Sequence, residues 1–149
     1  MSGPGAVRDL VVGVGASRGA PLAEVEGLVR HCLREAGLPV DRVAALATLD
    51  ARAAEPGVAG AAERLGVPLL AYTAGELAAV EVPGGSAAVL AAVGTPSVAE
   101  AAALAGGGEL LLPKRVSRPA GRRASATCAI ARRNGSVLPG TAGIGPSEP

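Results

Sequence analysis

The stretch that most narrows the fold runs from Leu10 to Pro21. An apolar run, Leu10 to Val14, passes through Gly13, Gly15 and Gly19, carries one arginine, Arg18, and meets Pro21. The run has the length and character of a buried strand. Proline suits the first position of a helix, where its missing N–H would have had no partner. Strand, glycine-rich turn and helix in that order open an α/β unit. The turn itself fits three chemistries: a dinucleotide fingerprint, another anion cradle, or a sharp bend that glycine permits.

The spacing weighs against the first. Gly13-x-Gly15-x-x-x-Gly19 is one position too long for G-x-G-x-x-G, and no Gly-Lys-Ser/Thr follows. A dinucleotide site also wants an acidic residue closing a second strand. The second apolar run, Val43 to Ala47, ends in Thr48, with Asp50 close by. Arg18 beside free N–H groups at a helix start suits a carboxylate or phosphate.

Further elements follow by period and punctuation. Leu22, Val25, Val29, Cys32, Leu33 and Ala36 recur at helical spacing, and Gly37 and Pro39 stop that helix. A second helix is expected over Pro56 to Leu65, closed by Gly66 and Pro68, then a strand over Leu69 to Tyr72. Thr73 with Glu76, and Ser97 with Glu100, have capping-box spacing. Pro83-Gly84-Gly85 is a break, Ser86 to Ala92 reads as helical, and Glu109 to Leu112 and Ser125 to Ala131 read as strands. These last two strands can pair antiparallel, so the expectation is an α/β domain with a mixed sheet covered on both faces. One domain is expected over 9–133, with a flexible start over 1–8. From Asn134 onward Gly, Pro, Ser and Thr dominate without an apolar period, which predicts a disordered tail over 134–149.

The core of such a domain must be built from small side chains. The chain has no Phe or Trp and a single Tyr, Tyr72. Cys32, Cys128 and the lone His31 form no metal-ligand cluster, so neither metal nor cofactor is expected, and reduced cysteines are the default. No apolar run approaches the roughly 20 residues that span a bilayer. The N-terminal residues lack a signal-peptide pattern, so a cytoplasmic protein is expected.

Charge is unevenly distributed. Residues 1–113 carry seven Arg/Lys against twelve Asp/Glu, and residues 114–149 carry seven against one. Five of those cations fall between Lys114 and Arg123. Without aromatic residues to stack on bases, this run argues poorly for nucleic acid. A solvated hairpin loop and a flap meeting a polycarboxylate both remain open.

Two other segments carry candidate chemistry. In Thr48-Leu-Asp50-Ala-Arg52-Ala-Ala-Glu55, Asp50 and Glu55 suit an acid/base pair with Arg52 lowering one pKa; the plainer reading is that one of them caps the helix at Pro56. In Gly94-Thr95-Pro-Ser97-Val-Ala-Glu100, Thr95, Ser97 and Glu100 are explained by capping or by hydrogen bonding to an anionic ligand.

These segments, with Leu112-Pro113-Lys114 and Ala126-Thr127-Cys-Ala129-Ile130-Ala131-Arg132, resemble in order and spacing the CobE/CbiG C-terminal domain family of cobalamin biosynthesis. The resemblance covers about residues 9 to 132. It implies a three-layer α/β/α fold with a mixed, mostly parallel sheet, and work on a precorrin or cobalt-precorrin intermediate alongside other enzymes of that pathway. Longer members are cobalt-precorrin-5A hydrolases, which open a ring lactone and release acetaldehyde; this chain looks like the stand-alone form. Two departures matter: Ala16 stands where the family often has Cys, and Arg52 where it usually has Lys. A guanidinium stays charged, so Arg52 suits recognition and not proton transfer.

Three functions are therefore in play. The favoured one is a module that binds a corrin precursor through an anion-binding crevice of Gly13, Gly15, Arg18, Gly19, Thr48, Arg52, Thr95, Ser97, Glu100 and Lys114. The second is the hydrolase, with Asp50 or Glu55 activating water and Thr48 or Ser97 placing the oxyanion. The third is a nucleotide- or nucleic-acid-binding protein.

Overall fold

A computed structural model describes residues 8–80, 98–118 and 124–133. The first strand, β1 (Leu10–Ala16), leads through the glycine turn into α1 (Leu22–Ala36). A short 3-10 turn (Val40–Arg42) precedes β2 (Val43–Leu49), which runs two residues past the apolar stretch seen in the sequence. Next come α2 (Asp50–Ala53), α3 (Pro56–Leu65), β3 (Leu69–Tyr72) and α4 (Ala74–Ala78). The last described elements are α5 (Val98–Leu104), β4 (Glu109–Val116) and β5 (Ala126–Arg132). The expected break at Pro83–Gly85, helix over Ser86–Ala92 and tail over 134–149 lie outside the described residues.

The five strands form one sheet in the order β3-β2-β1-β5-β4. β1, β2 and β3 are parallel neighbours, β5 is antiparallel to both β1 and β4, and so β4 runs with the first three. The expected mixed, mostly parallel sheet is what forms: among the described strands β5 alone is reversed. On one face α1 and α3 cover Leu10, Val12, Val14, Leu46, Cys128 and Ile130. On the other, α4 and α5 cover Val11, Ala47, Ala129 and Ala131. That makes the three layers.

Small side chains set the spacing of those layers. An added Cβ on Gly13 would lie 1.9 Å from the Ala99 carbonyl oxygen, and one on Gly57 would lie 2.1 Å from that of Ala20. Glycine at these positions lets α5 rest directly on β1, and α3 on the entry to α1. Cys32 and Cys128 are both buried and unbridged on the α1 face. Their thiols share a hydrogen bond, which lowers the pKa of Cys32, and with burial it keeps Cys128 protonated.

Helix ends follow the punctuation in the sequence. Gly37 and Gly66 close α1 and α3 in the left-handed conformation, at φ 72° and 73°. The capping box at Thr73 forms in both directions, with Glu76 N–H donating to the Thr73 hydroxyl and Thr73 N–H to the Glu76 carboxylate. No helix among the described residues is long and apolar enough to cross a membrane.

Candidate functional site

In open α/β sheets the ligand crevice lies at the carboxyl ends of parallel strands, where the chain switches sides. Here β1 is that strand: β2 and β3 extend the sheet one way from it, β5 and β4 the other. The turn that leaves β1 is Ser17-Arg18-Gly19-Ala20. Ser17 N–H donates to the Ser125 carbonyl at 2.9 Å, and Ala20 N–H to the Ser17 carbonyl at 3.1 Å. Gly19 has φ 78°, which an L side chain adopts only with strain.

The segment after β2 clamps this turn at two points. Arg52 Nε donates to the Ala16 carbonyl at 3.0 Å. Gly19 N–H donates to Glu55 Oε1 at 2.8 Å. Glu55 does hold the N-cap position of α3, but its side chain makes no capping hydrogen bond there. It reaches back to the glycine turn instead. Arg18 is exposed and, among the described residues, has no hydrogen-bond or ionic partner. Asp50 is exposed at the first position of α2 and is likewise without a partner among the described residues. Arg52 and Glu55 therefore meet the turn that carries Arg18 and Gly19, and Asp50 begins the short helix that carries Arg52.

Other residues expected at the site lie elsewhere. Gly13 and Gly15 are buried inside β1; an added Cβ on Gly15 would lie 2.5 Å from Thr127 Oγ1. Their role is close packing, not anion contact. Thr48 belongs to β2, is fully buried, and donates its hydroxyl to the Val14 carbonyl at 2.7 Å, so it ties two strands together and cannot place an oxyanion from there. Lys114 lies in β4, where its backbone N–H donates to Glu100 Oε2 at 2.9 Å. Glu100 thus satisfies an amide on the outer edge of the last strand in the sheet. Thr95 and Ser97 lie outside the described residues.

The basic run also differs from the loop expected of it. Lys114, Arg115 and Val116 are strand residues, because Arg115 and Val116 pair with Cys128 and Thr127. The register shift between Leu112 and Arg115 accommodates Pro113, which has no N–H to give a ladder.

One cluster escaped the sequence. Glu24, in the first turn of α1, accepts from Ser125 N–H at 2.9 Å, the Ser125 hydroxyl at 2.8 Å and the Ser117 hydroxyl. Ser117 in turn accepts from Ala126 N–H at 3.2 Å. This joins the start of α1 to the ends of β4 and β5. The available signal was the pair of serines flanking the basic run. Among the described residues no group of His, Cys, Asp and Glu is placed to hold a metal ion.

Comparison with known proteins points to one family. A family model described as cobalamin synthesis G C-terminus matches residues 10–131. Protein CobE of a Sinorhizobium species is 39% identical over 127 residues, covering 82% of this chain and 79% of that protein. A crystal structure of CobE, a protein from the cobalamin (vitamin B12) biosynthetic pathway, superposes with a TM-score of 0.65 at 32% identity over 83% of this chain and 92% of that one. The cobalamin biosynthesis protein chiG of Agrobacterium tumefaciens gives 0.62 at 31% identity over 83% of this chain and 98% of that one. A cobalamin biosynthesis protein G homolog of Sulfolobus solfataricus gives 0.61 at 20% identity, over 87% of this chain and 38% of that longer one, and bears on the fold alone.

Proposed function

The chain belongs to the cobalamin synthesis G C-terminus family, as a cobalamin biosynthesis protein of the CobE/CbiG kind, and from that premise we propose that it binds a corrin-ring precursor by a side-chain carboxylate at the Ser17–Gly19 turn. One observation carries the reading: the Gly19 N–H already holds a carboxylate, that of Glu55, at 2.8 Å. The turn is shaped for such a group, and Arg18 stands beside it with its charge uncommitted. Precorrins carry several acetate and propionate arms. One arm takes the place of Glu55 on the amide, while Arg18 and the terminal nitrogens of Arg52 supply positive charge.

Glu55 is then the internal stand-in that a ligand displaces. Held on a backbone amide, its carboxylate is committed to the turn and is not aimed at a water or a lactone. This separates binding from hydrolysis. The test is a titration with cobalt-precorrin-5A, read by absorbance and by acetaldehyde release. The expected result is binding without acetaldehyde. Arg18→Ala is expected to weaken that binding about tenfold, the loss typical of one charge-assisted hydrogen bond. Glu55→Gln is expected to retain or tighten it, since a competing charge is gone. No binding, or binding indifferent to Arg18, overturns the proposal. Acetaldehyde release that disappears in Glu55→Gln makes the protein a hydrolase.

A further inference from the structure

A second concavity lies between α1 and β4, apart from the clamped turn. Its volume is about 1260 Å³, and its lining includes Pro21, two residues past Gly19. Small-molecule sites usually occupy roughly 300–1,000 Å³, so this groove suits a body larger than a typical metabolite. Its floor is apolar: Ala23, Gly27 and Leu28 from one stripe of α1, and Val116 from β4. A Cβ built on Gly27 meets nothing within 4 Å, so the floor is open above that glycine.

The rim is cationic. Arg34 from α1, and Lys114, Arg115 and Arg118 from the end of β4 and just beyond it, line the groove. Its two carboxylates are already engaged, Glu24 by Ser117 and Ser125, and Glu35 by Arg115 at 2.7 Å. Arg34, Lys114 and Arg118 are exposed, and among the described residues their side chains have no hydrogen-bond or ionic partner. Three uncommitted cations around a shallow apolar floor complement a flat, apolar molecule that carries carboxylates on its periphery.

We propose that the α1–β4 groove seats the body of a corrin-type macrocycle, with Arg34, Lys114 and Arg118 meeting its peripheral carboxylates. This rests on the corrin-binding reading above and extends it from one carboxylate arm to the ring. The groove and the turn are then successive parts of one surface, joined at Pro21.

The probe is cobyrinic acid, a corrin with free side-chain carboxylates, titrated into the intact protein by absorbance. Hexaglutamate serves as a competitor that has charge but no ring. A Cβ at Gly27 meets nothing within 4 Å and leucine raises helix propensity, so Gly27→Leu is expected to fill the floor and keep the fold, with far-UV circular dichroism as the check. Gly27→Leu and Arg34→Glu are each expected to weaken corrin binding about tenfold or more, through lost apolar contact and reversed charge. Hexaglutamate is expected to compete poorly. If Arg18→Ala weakens binding and the two groove variants do not, the groove assignment falls and the turn alone holds the ligand. If the groove variants weaken binding and Arg18→Ala does not, the groove stands and the turn reading falls. Hexaglutamate competing as well as cobyrinic acid overturns the macrocycle assignment in favour of an acidic peptide. Absence of any corrin binding overturns both.

Discussion

Gly13 and Gly19 belong to one sequence motif, yet a methyl group added to each meets different obstacles. At Gly13 it would strike the Ala99 carbonyl and the Ala103 amide of α5, while at Gly19 it meets open space and only the backbone angle resists. Gly13→Ala is therefore expected to cost about 3 kcal/mol, as overpacking of rigid backbone does. Gly19→Ala should cost about 1 kcal/mol from left-handed strain. Urea unfolding midpoints of the two variants check both values, and equal losses would contradict the packing argument. The sequence could show that these glycines were needed. It could not show which were needed for packing and which for the turn, because the helix lying on β1 comes from about ninety residues further along. Glu24, in the first turn of α1, is a second such case. Its two serine partners lie 93 and 101 positions away, and the fold alone brings them together.

At the level of elements, local punctuation was the most legible signal. Pro56 and Gly66 bound α3 where the sequence placed it, since proline at the start and left-handed glycine at the end act through nearest neighbours. The Thr73 capping box is of the same kind. Thr73→Ala removes one of its two reciprocal bonds and is expected to cost about 1 kcal/mol, read as a shift in the unfolding midpoint without loss of ligand binding. β4 was the less legible element. Pro113 and the basic pair Lys114 and Arg115 look like a loop, and the strand continues because β5 supplies a partner. The four-residue α2 was missed because it has no apolar period to reveal it, yet it carries Asp50 and Arg52 onto the rim of the site.

Across the whole molecule, ion pairs join elements distant in sequence. Arg42 holds Asp9 at 2.6 Å, Arg64 of α3 holds Glu26 of α1 at 2.7 Å, and Arg115 of β4 holds Glu35 of α1 at 2.7 Å. Hydrogen bonds from arginine lower the pKa of each carboxyl: Asp9 through Arg42, Glu26 chiefly through Arg30, and Glu35 through Arg115. A carboxyl whose folded-state pKa is depressed contributes stability in full above its unfolded value, about 4, and loses it as pH falls through the folded value. The melting temperature should accordingly hold from neutral pH down to about pH 5 and fall below that. Arg42→Ala is expected to cost about 0.5 kcal/mol at neutral pH, with the difference from the parent vanishing near pH 2. A constant difference across that range would show that Arg42 acts through packing and not through Asp9.

The sequence by itself determined the α/β class, the helix ends, the small-residue core and the family. Each of these depends on short-range spacing, on composition, or on motifs in linear order. Only the tertiary structure decided the strand order, the burial of Thr48, Gly13 and Gly15, and the seating of Glu55 on the Gly19 amide. It also placed Lys114 in a strand, with its amide on Glu100. The reason is physical: backbone propensity acts over a few residues, whereas a side chain's partner is chosen by whatever the packed sheet brings beside it.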